Sequence, residues 1–190
     1  MANRSVRIFK RSQLLSMLVP LLVASVASCT GDDANEGPQF CTLPDVAGAG
    51  SAEQHLATTT DGTVVMSWLE PSEPGTDLRW SRLHGNQWED PRSVASGGNW
   101  FVNWADFPSV EPISESLWAA HWLVKRPGGT FAYDVAISIS KDAGSTWTEA
   151  VIPHQDDTPT EHGFVSLFPW QDKIGALWLD GRNMQPSDDG

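Results

Sequence analysis

Residues 138–150 read SISKDAGSTWTEA. The stretch decides the fold, because its spacing is that of a built turn. Alternating residues from Tyr133 to Ser140 argue a strand, and Asp142 and Gly144 then break it. An aspartate at that point accepts backbone N–H bonds across a hairpin, and the glycine supplies the positive φ that the turn needs. Ser140 ends the incoming strand, and Trp147 follows with a large ring to bury. A catalytic or metal-binding loop is the other reading of these residue types. Each has a sufficient structural use here, so the stretch is read as a turn.

The same offsets occur once more. Ser81, Gly85 and Trp88 repeat the spacing of Ser140, Gly144 and Trp147, with the aspartate missing from the earlier copy. A second landmark runs alongside. The β-runs TVVMSWLE (63–70), SLWAAHWLV (116–124) and KIGALWLD (173–180) each carry a Trp-Leu pair, beginning at 68, 122 and 178, so the spacings are 54 and 56 residues. From residue 53 onward no helical period appears, and short β-runs alternate with Gly, Pro, Asp and Asn. A period of this size fits propeller blades of about four strands each. The expected blades span about 53–96, 106–152 and 163–190. In the second, strands are expected near 107–112, 117–124, 131–140 and 146–152; the third begins near 163–168 and 173–179.

Ser140-x-Asp142-x-Gly144-x-x-Trp147 resembles the Asp-box, or BNR repeat, of sialidase-like β-propellers. The segments WFVNWADFPSV, TPTEHGFVSLFP and WLDGR are similar to those of bacterial secreted proteins of the exo-sialidase-like or BNR-repeat type. The resemblance covers roughly residues 53–190. It implies an all-β chain, a partial β-propeller of about two and a half four-stranded antiparallel blades. It also implies that the box joins strands three and four on the face away from ligand. Two family features are missing: there is no Arg-Ile-Pro motif, and the tyrosine–glutamate nucleophile pair belongs late in the family's chain. Closed propellers need at least about four blades. The expectation is therefore an incomplete ring read from a longer protein.

If the boxes occupy one face, the loops at the other would hold the function. Three segments are expected to converge there: 97–107, 153–163 and the stretch beginning at Asp180, with 125–129 beside them. Asp106 and Glu161 are the candidate catalytic pair, as general acid and base or nucleophile in glycoside cleavage. Trp100 and Trp104 are candidate stacking surfaces for sugar rings, joined by Asn103, His162, Asp180 and Arg182 as candidate ligand contacts. His154, Asp156, Glu161 and His162 lie within nine residues and are of types that hold metals. They show no recognised ligand spacing, and no metal or other cofactor is assigned. His121 and Tyr133 are read as packed strand residues.

Ahead of the repeats, Arg4, Arg7, Lys10 and Arg11 precede an apolar run from Leu14 to Ala27 that is too short to span a bilayer. It ends in Val26-Ala27-Ser28-Cys29, which resembles a bacterial lipobox. Residues 1–28 are thus expected to be a lipoprotein signal peptide, with Cys29 the lipid-bearing residue and 29–52 a flexible acidic tether. Thr30 after the cysteine leans towards the outer membrane of a bacterial envelope. The chain carries a net charge of −12, and −16 without the four basic residues of the leader. Such a surface repels nucleic acid and anionic lipid. No Gly-rich phosphate loop or paired-cysteine motif is present. Two functions stay open: an envelope-anchored propeller that binds a glycan or protein through its loop face, or an exo-sialidase-like glycoside hydrolase.

Overall fold

The computed structural model of the protein describes Phe40, residues 42–73 and residues 75–184. The expected signal peptide, Cys29 as the expected lipid-bearing residue, and half of the expected tether lie outside them. The described residues form ten β-strands and no helix, all in antiparallel sheets.

In the first sheet β1 (Ala52–Thr58), β2 (Val64–Ser72) and β3 (Gly75–His84) lie side by side. The far edge of β3 pairs with two short strands, β4 (Gln87–Trp88) and β5 (Arg92–Gly97). Pro91 stands between them, and a proline cannot donate to a ladder. The run along the edge of β3 is thus divided in two. The second sheet orders β6 (Ser109–Pro112), β7 (Trp118–Lys125) and β8 (Tyr133–Ser140). The fourth strand expected near 146–152 is reduced to a single bridge between Ile137 and Val151. The reason is local. The Thr148 hydroxyl accepts from Ile139 N–H at 3.0 Å while its carbonyl accepts from the Ser138 hydroxyl at 2.7 Å. Side chains have taken over bonds that a regular ladder gives to the backbone. The third sheet pairs β9 (His162–Trp170) with β10 (Lys173–Asp180).

The sheets stack through two cores, and β7 feeds both. Its first six residues, Trp118 to Leu123, are all buried. Trp118, Ala120 and Trp122 pack with Val65, Leu69, Leu78 and Trp80 of the first sheet. Ala119 and Leu123, on the other face, pack with Tyr133, Val135, Ile137 and Leu167, against Ile174, Ala176 and Trp178 of the third. Alternation on a strand makes this division, and removing one such buried tryptophan typically costs about 3–5 kcal/mol. On the far side of the third sheet Phe164, Phe168, Trp170, Leu177 and Leu179 are exposed.

The turn 140–147 locks the first two sheets. Ser140 Oγ accepts from Gly144 N–H at 2.8 Å, and Asp142 accepts from the backbone and hydroxyl of Thr146 at 2.8 and 2.6 Å. Those bonds, the Thr146 hydroxyl foremost, hold the Asp142 carboxyl down at about 2. The Ala143 carbonyl receives Arg82 Nη2 at 3.0 Å. Arg82 in turn lies 4.9 Å from the ring of Trp118, whose edge meets Trp80 at 4.8 Å. Trp147 packs half-buried on the same core.

Gly144 has φ +80°, and a Cβ there would sit 2.5 Å from Trp80 Cζ2. Gly144→Ala is expected to cost at least about 1–3 kcal/mol from backbone conformation alone, with the clash added, measured as a fall in urea midpoint. A second prediction concerns His121, which is buried with Nδ1 3.0 Å from Ser109 Oγ. Burial, with His55 nearby, presses its pKa down to about 3. A depressed base keeps its folded-state contribution above the unfolded pKa of about 6.5 and loses it as pH falls towards about 3. The urea midpoint should therefore fall between pH 6.5 and 4.5, less steeply in His121→Gln.

Candidate functional site

Tyr133 opens β8 and Ser140 closes it, so its two ends are about 23 Å apart at 3.3 Å per residue. The box turn occupies the Ser140 end. At the Tyr133 end the chain segments gather. Phe101 N–H donates to Leu123 O and Lys125 N–H to Asn99 O, both at 2.9 Å. Tyr133 N–H reaches Thr160 O at 3.2 Å, and Gly181 N–H reaches Glu161 O at 2.8 Å. Segments 97–107, 125–129, 153–163 and 180–184 thus share one end of the molecule.

Asp106 and Glu161 meet there on the hydroxyl of Tyr133, which approaches Glu161 Oε1 at 2.6 Å and Asp106 Oδ2 at 3.1 Å. One phenol carries one proton, so the shorter contact takes it. Burial and the two carboxylates raise the Tyr133 hydroxyl above the ordinary tyrosine range. Burial likewise raises Asp106. Asp106 Oδ1 accepts Phe164 N–H at 2.8 Å, and Phe164 has φ +53°, a region that bulky residues avoid. Its other oxygen would lie 1.9 Å from a Cβ at Gly163. Asp106 therefore pins a bulge in β9, and the phenol fills the space between the two carboxylates. Tyr133, which the sequence marks only as a strand residue, is the centre of this knot. Its ring stacks on Phe101 at 4.1 Å.

The expected ligand contacts divide. Trp104 is 84% exposed. It caps a tight turn in which Asn103 Oδ1 accepts Ala105 N–H at 2.9 Å and Asn103 O accepts Asp106 N–H at 3.1 Å. Trp100 is a correction: it is 7% exposed and packs on Trp122 at 5.3 Å, so it belongs to the core and offers no ring to a sugar. His162 is a second correction, because its side chain is wholly buried. The Arg182 guanidinium is committed to Asp180, with Nε 2.9 Å from either carboxylate oxygen. That pairing, with the Arg182 backbone N–H, holds Asp180 at about 2.

His162 belongs to a cluster that sequence spacing did not reveal in full. Its ring stacks on that of His154 at 3.9 Å and 8°. Asp156 spans the pair, Oδ1 lying 3.0 Å from His154 Nδ1 and Oδ2 3.2 Å from His162 Nε2. The Thr158 hydroxyl, chief among its bonds, keeps Asp156 below the usual carboxylate range. Asp134, on β8, and Asp180 complete the group, while Glu161 stays with Tyr133. A recess of about 290 Å³ lined by Arg126, Asp134 and His154 adjoins it. A larger groove, about 520 Å³, lies at the opposite end, between the box turn and Arg82. It is the seam where the sheets meet, and it holds none of the candidate residues.

Comparison with protein-family models, with curated proteins and with solved structures finds no match to this chain. Among the described residues no helix is long and apolar enough to cross a membrane.

Tyr133→Phe removes the hydroxyl that lies between the buried Asp106 and the partly buried Glu161 and donates to the latter. A loss of about 1–3 kcal/mol is expected in urea unfolding at neutral pH. A double-mutant cycle with Glu161→Gln should give a coupling of at least about 0.5 kcal/mol.

Proposed function

We propose that the chain is a carbohydrate-binding, sialidase-like propeller lipoprotein of a bacterial envelope, engaging its ligand through the loop end around Trp104. The observation that carries this reading is the Trp104 ring, exposed at the apex of a turn fixed by Asn103 and Asp106. An aromatic face presented without ordering cost is what a sugar ring stacks upon. The ligand that suits this face is a neutral glycan, because the net charge of −12 gives an anionic one no help.

Three observations support the blade reading of the sheets. Trp122 and Trp178 each sit on the second strand of their sheet and face the preceding one. Trp68 occupies the matching place on β2, on the face turned away from the second sheet. The bonds of Ser140, Asp142 and Gly144 form a built turn at the end opposite the loops. The lipid anchor rests on the residues up to Cys29.

The hydrolase reading draws on the meeting of Asp106 and Glu161. The phenol between them and the burial of Asp106 leave no room for a glycosidic oxygen, so binding without turnover is the better account. Titration of the full chain with a panel of neutral and sialylated oligosaccharides tests this. Saturable binding of neutral glycans is expected, lost at least about tenfold in Trp104→Ala with its urea midpoint unchanged. Hydrolysis of fluorogenic glycosides, abolished in Glu161→Gln, would replace binding with catalysis. Binding of a protein but no glycan would defeat the carbohydrate assignment.

A further inference from the structure

We propose that Asp156 Oδ2, His162 Nε2 and Asp180 Oδ1 form a binding site for one divalent transition-metal ion of the Zn²⁺ type. The proposal goes beyond glycan binding and does not depend on it. The three groups come from a loop and from β9 and β10, and their ligand atoms lie within 4.8 Å of one another. From His162 Nε2 it is 3.2 Å to Asp156 Oδ2 and 3.6 Å to Asp180 Oδ1. A tetrahedral ion with bonds of about 2.0–2.2 Å spaces its ligands about 3.3–3.6 Å apart.

Proton placement points the same way. His162 Nδ1 lies 3.2 Å from Thr160 O and 3.3 Å from Tyr133 O, two carbonyls that only accept. Nδ1 therefore carries a hydrogen, which leaves Nε2 as the ring atom that faces the two carboxylates and would meet an ion held between them. An N–H to a backbone carbonyl on one side and a free nitrogen on the other is how a metal-bound imidazole is set. Charge points there as well. Arg126 serves Asp134 and Asp157, and Arg182 serves Asp180. Asp156, whose side chain is 6% exposed, makes no ion pair with an arginine or lysine among the described residues and lies against the two imidazoles. Buried carboxylates call for a cation.

The neighbouring set of Asp134, His154 and His162 fits an ion less well. Lone pairs lie in the ring planes, and two rings stacked within 8° of parallel cannot both aim theirs at one ion. His154 instead places Nδ1 on Asp156 Oδ1 at 3.0 Å and orients that carboxylate. Its Nε2 is buried and without a hydrogen-bond partner. One imidazole with two carboxylates suits Zn²⁺ better than an all-oxygen ion such as Ca²⁺.

The full chain, stripped with chelator and titrated with ZnCl₂ by calorimetry, is expected to bind one ion and to gain in thermal midpoint. Asp180→Asn should weaken binding at least about tenfold, as should Asp156→Asn, each with its urea midpoint measured alongside. Asp134→Asn should stay within about threefold of the parent. Absence of saturable Zn²⁺ binding, equal binding in Asp180→Asn, loss in Asp134→Asn, or binding of Ca²⁺ in preference would each overturn the proposal. So would ¹⁵N spectra in which both His162 ring nitrogens carry hydrogen and ignore added Zn²⁺, for the aspartates would then hold an imidazolium.

Discussion

The structure depends on one strand being apolar on both faces. β7 places Trp118, Ala120 and Trp122 into one core and Ala119 and Leu123 into the other, so the second sheet packs against both the first and the third. A strand with solvent on one side would alternate; a near-continuous apolar run marks burial on two. His121 is the exception within that run. Its imidazole is kept neutral by burial and is answered by Ser109 on the adjoining strand. Polar side chains also cross between sheets: Val110 N–H, on β6, donates to Ser67 Oγ on β2 at 3.2 Å. Such a contact fixes the sliding position of two faces that greasy side chains alone would hold less specifically.

At the loop end the same economy binds the second sheet to the third with polar groups. Tyr133, Asp106 and Glu161 form a closed knot, and the strained Phe164 backbone is held by Asp106. These side chains, of the acid–base type, bridge segments of the second and third sheets through their hydrogen bonds. The consequence is rigidity around the 103–106 turn, which leaves Trp104 outside the knot and positioned by it.

Much of the framework was legible because turns and strands announce themselves locally. Ser140, Asp142 and Gly144 have offsets for which a turn is a sufficient reading, and Trp68, Trp122 and Trp178 each fall on the second strand of a sheet. The site was less legible. Trp100 and Trp104 are four residues apart in one loop, and nothing local says that one is swallowed by the core while the other stands in solvent. His162 was recognised as chemically loaded, yet its burial follows from Tyr133 and Thr160, which chain folding brings alongside. Asp134 escaped notice because a lone carboxylate in a β-run looks like a solvent-facing residue. Pro91, through a missing donor, and Thr148, through side-chain hydrogen bonds, shorten strands on a scale below what a repeat period can report.

The outward side of the third sheet carries Phe164, Phe168, Trp170, Leu177 and Leu179 on a molecule of net charge −12. These two properties oppose one another in solution. At low ionic strength mutual repulsion keeps copies apart. At about 0.1 M salt the field reaches only about 10 Å, and bare aromatic surface can touch its like. Colloidal behaviour of this chain is thus governed by its counter-ions as much as by its fold.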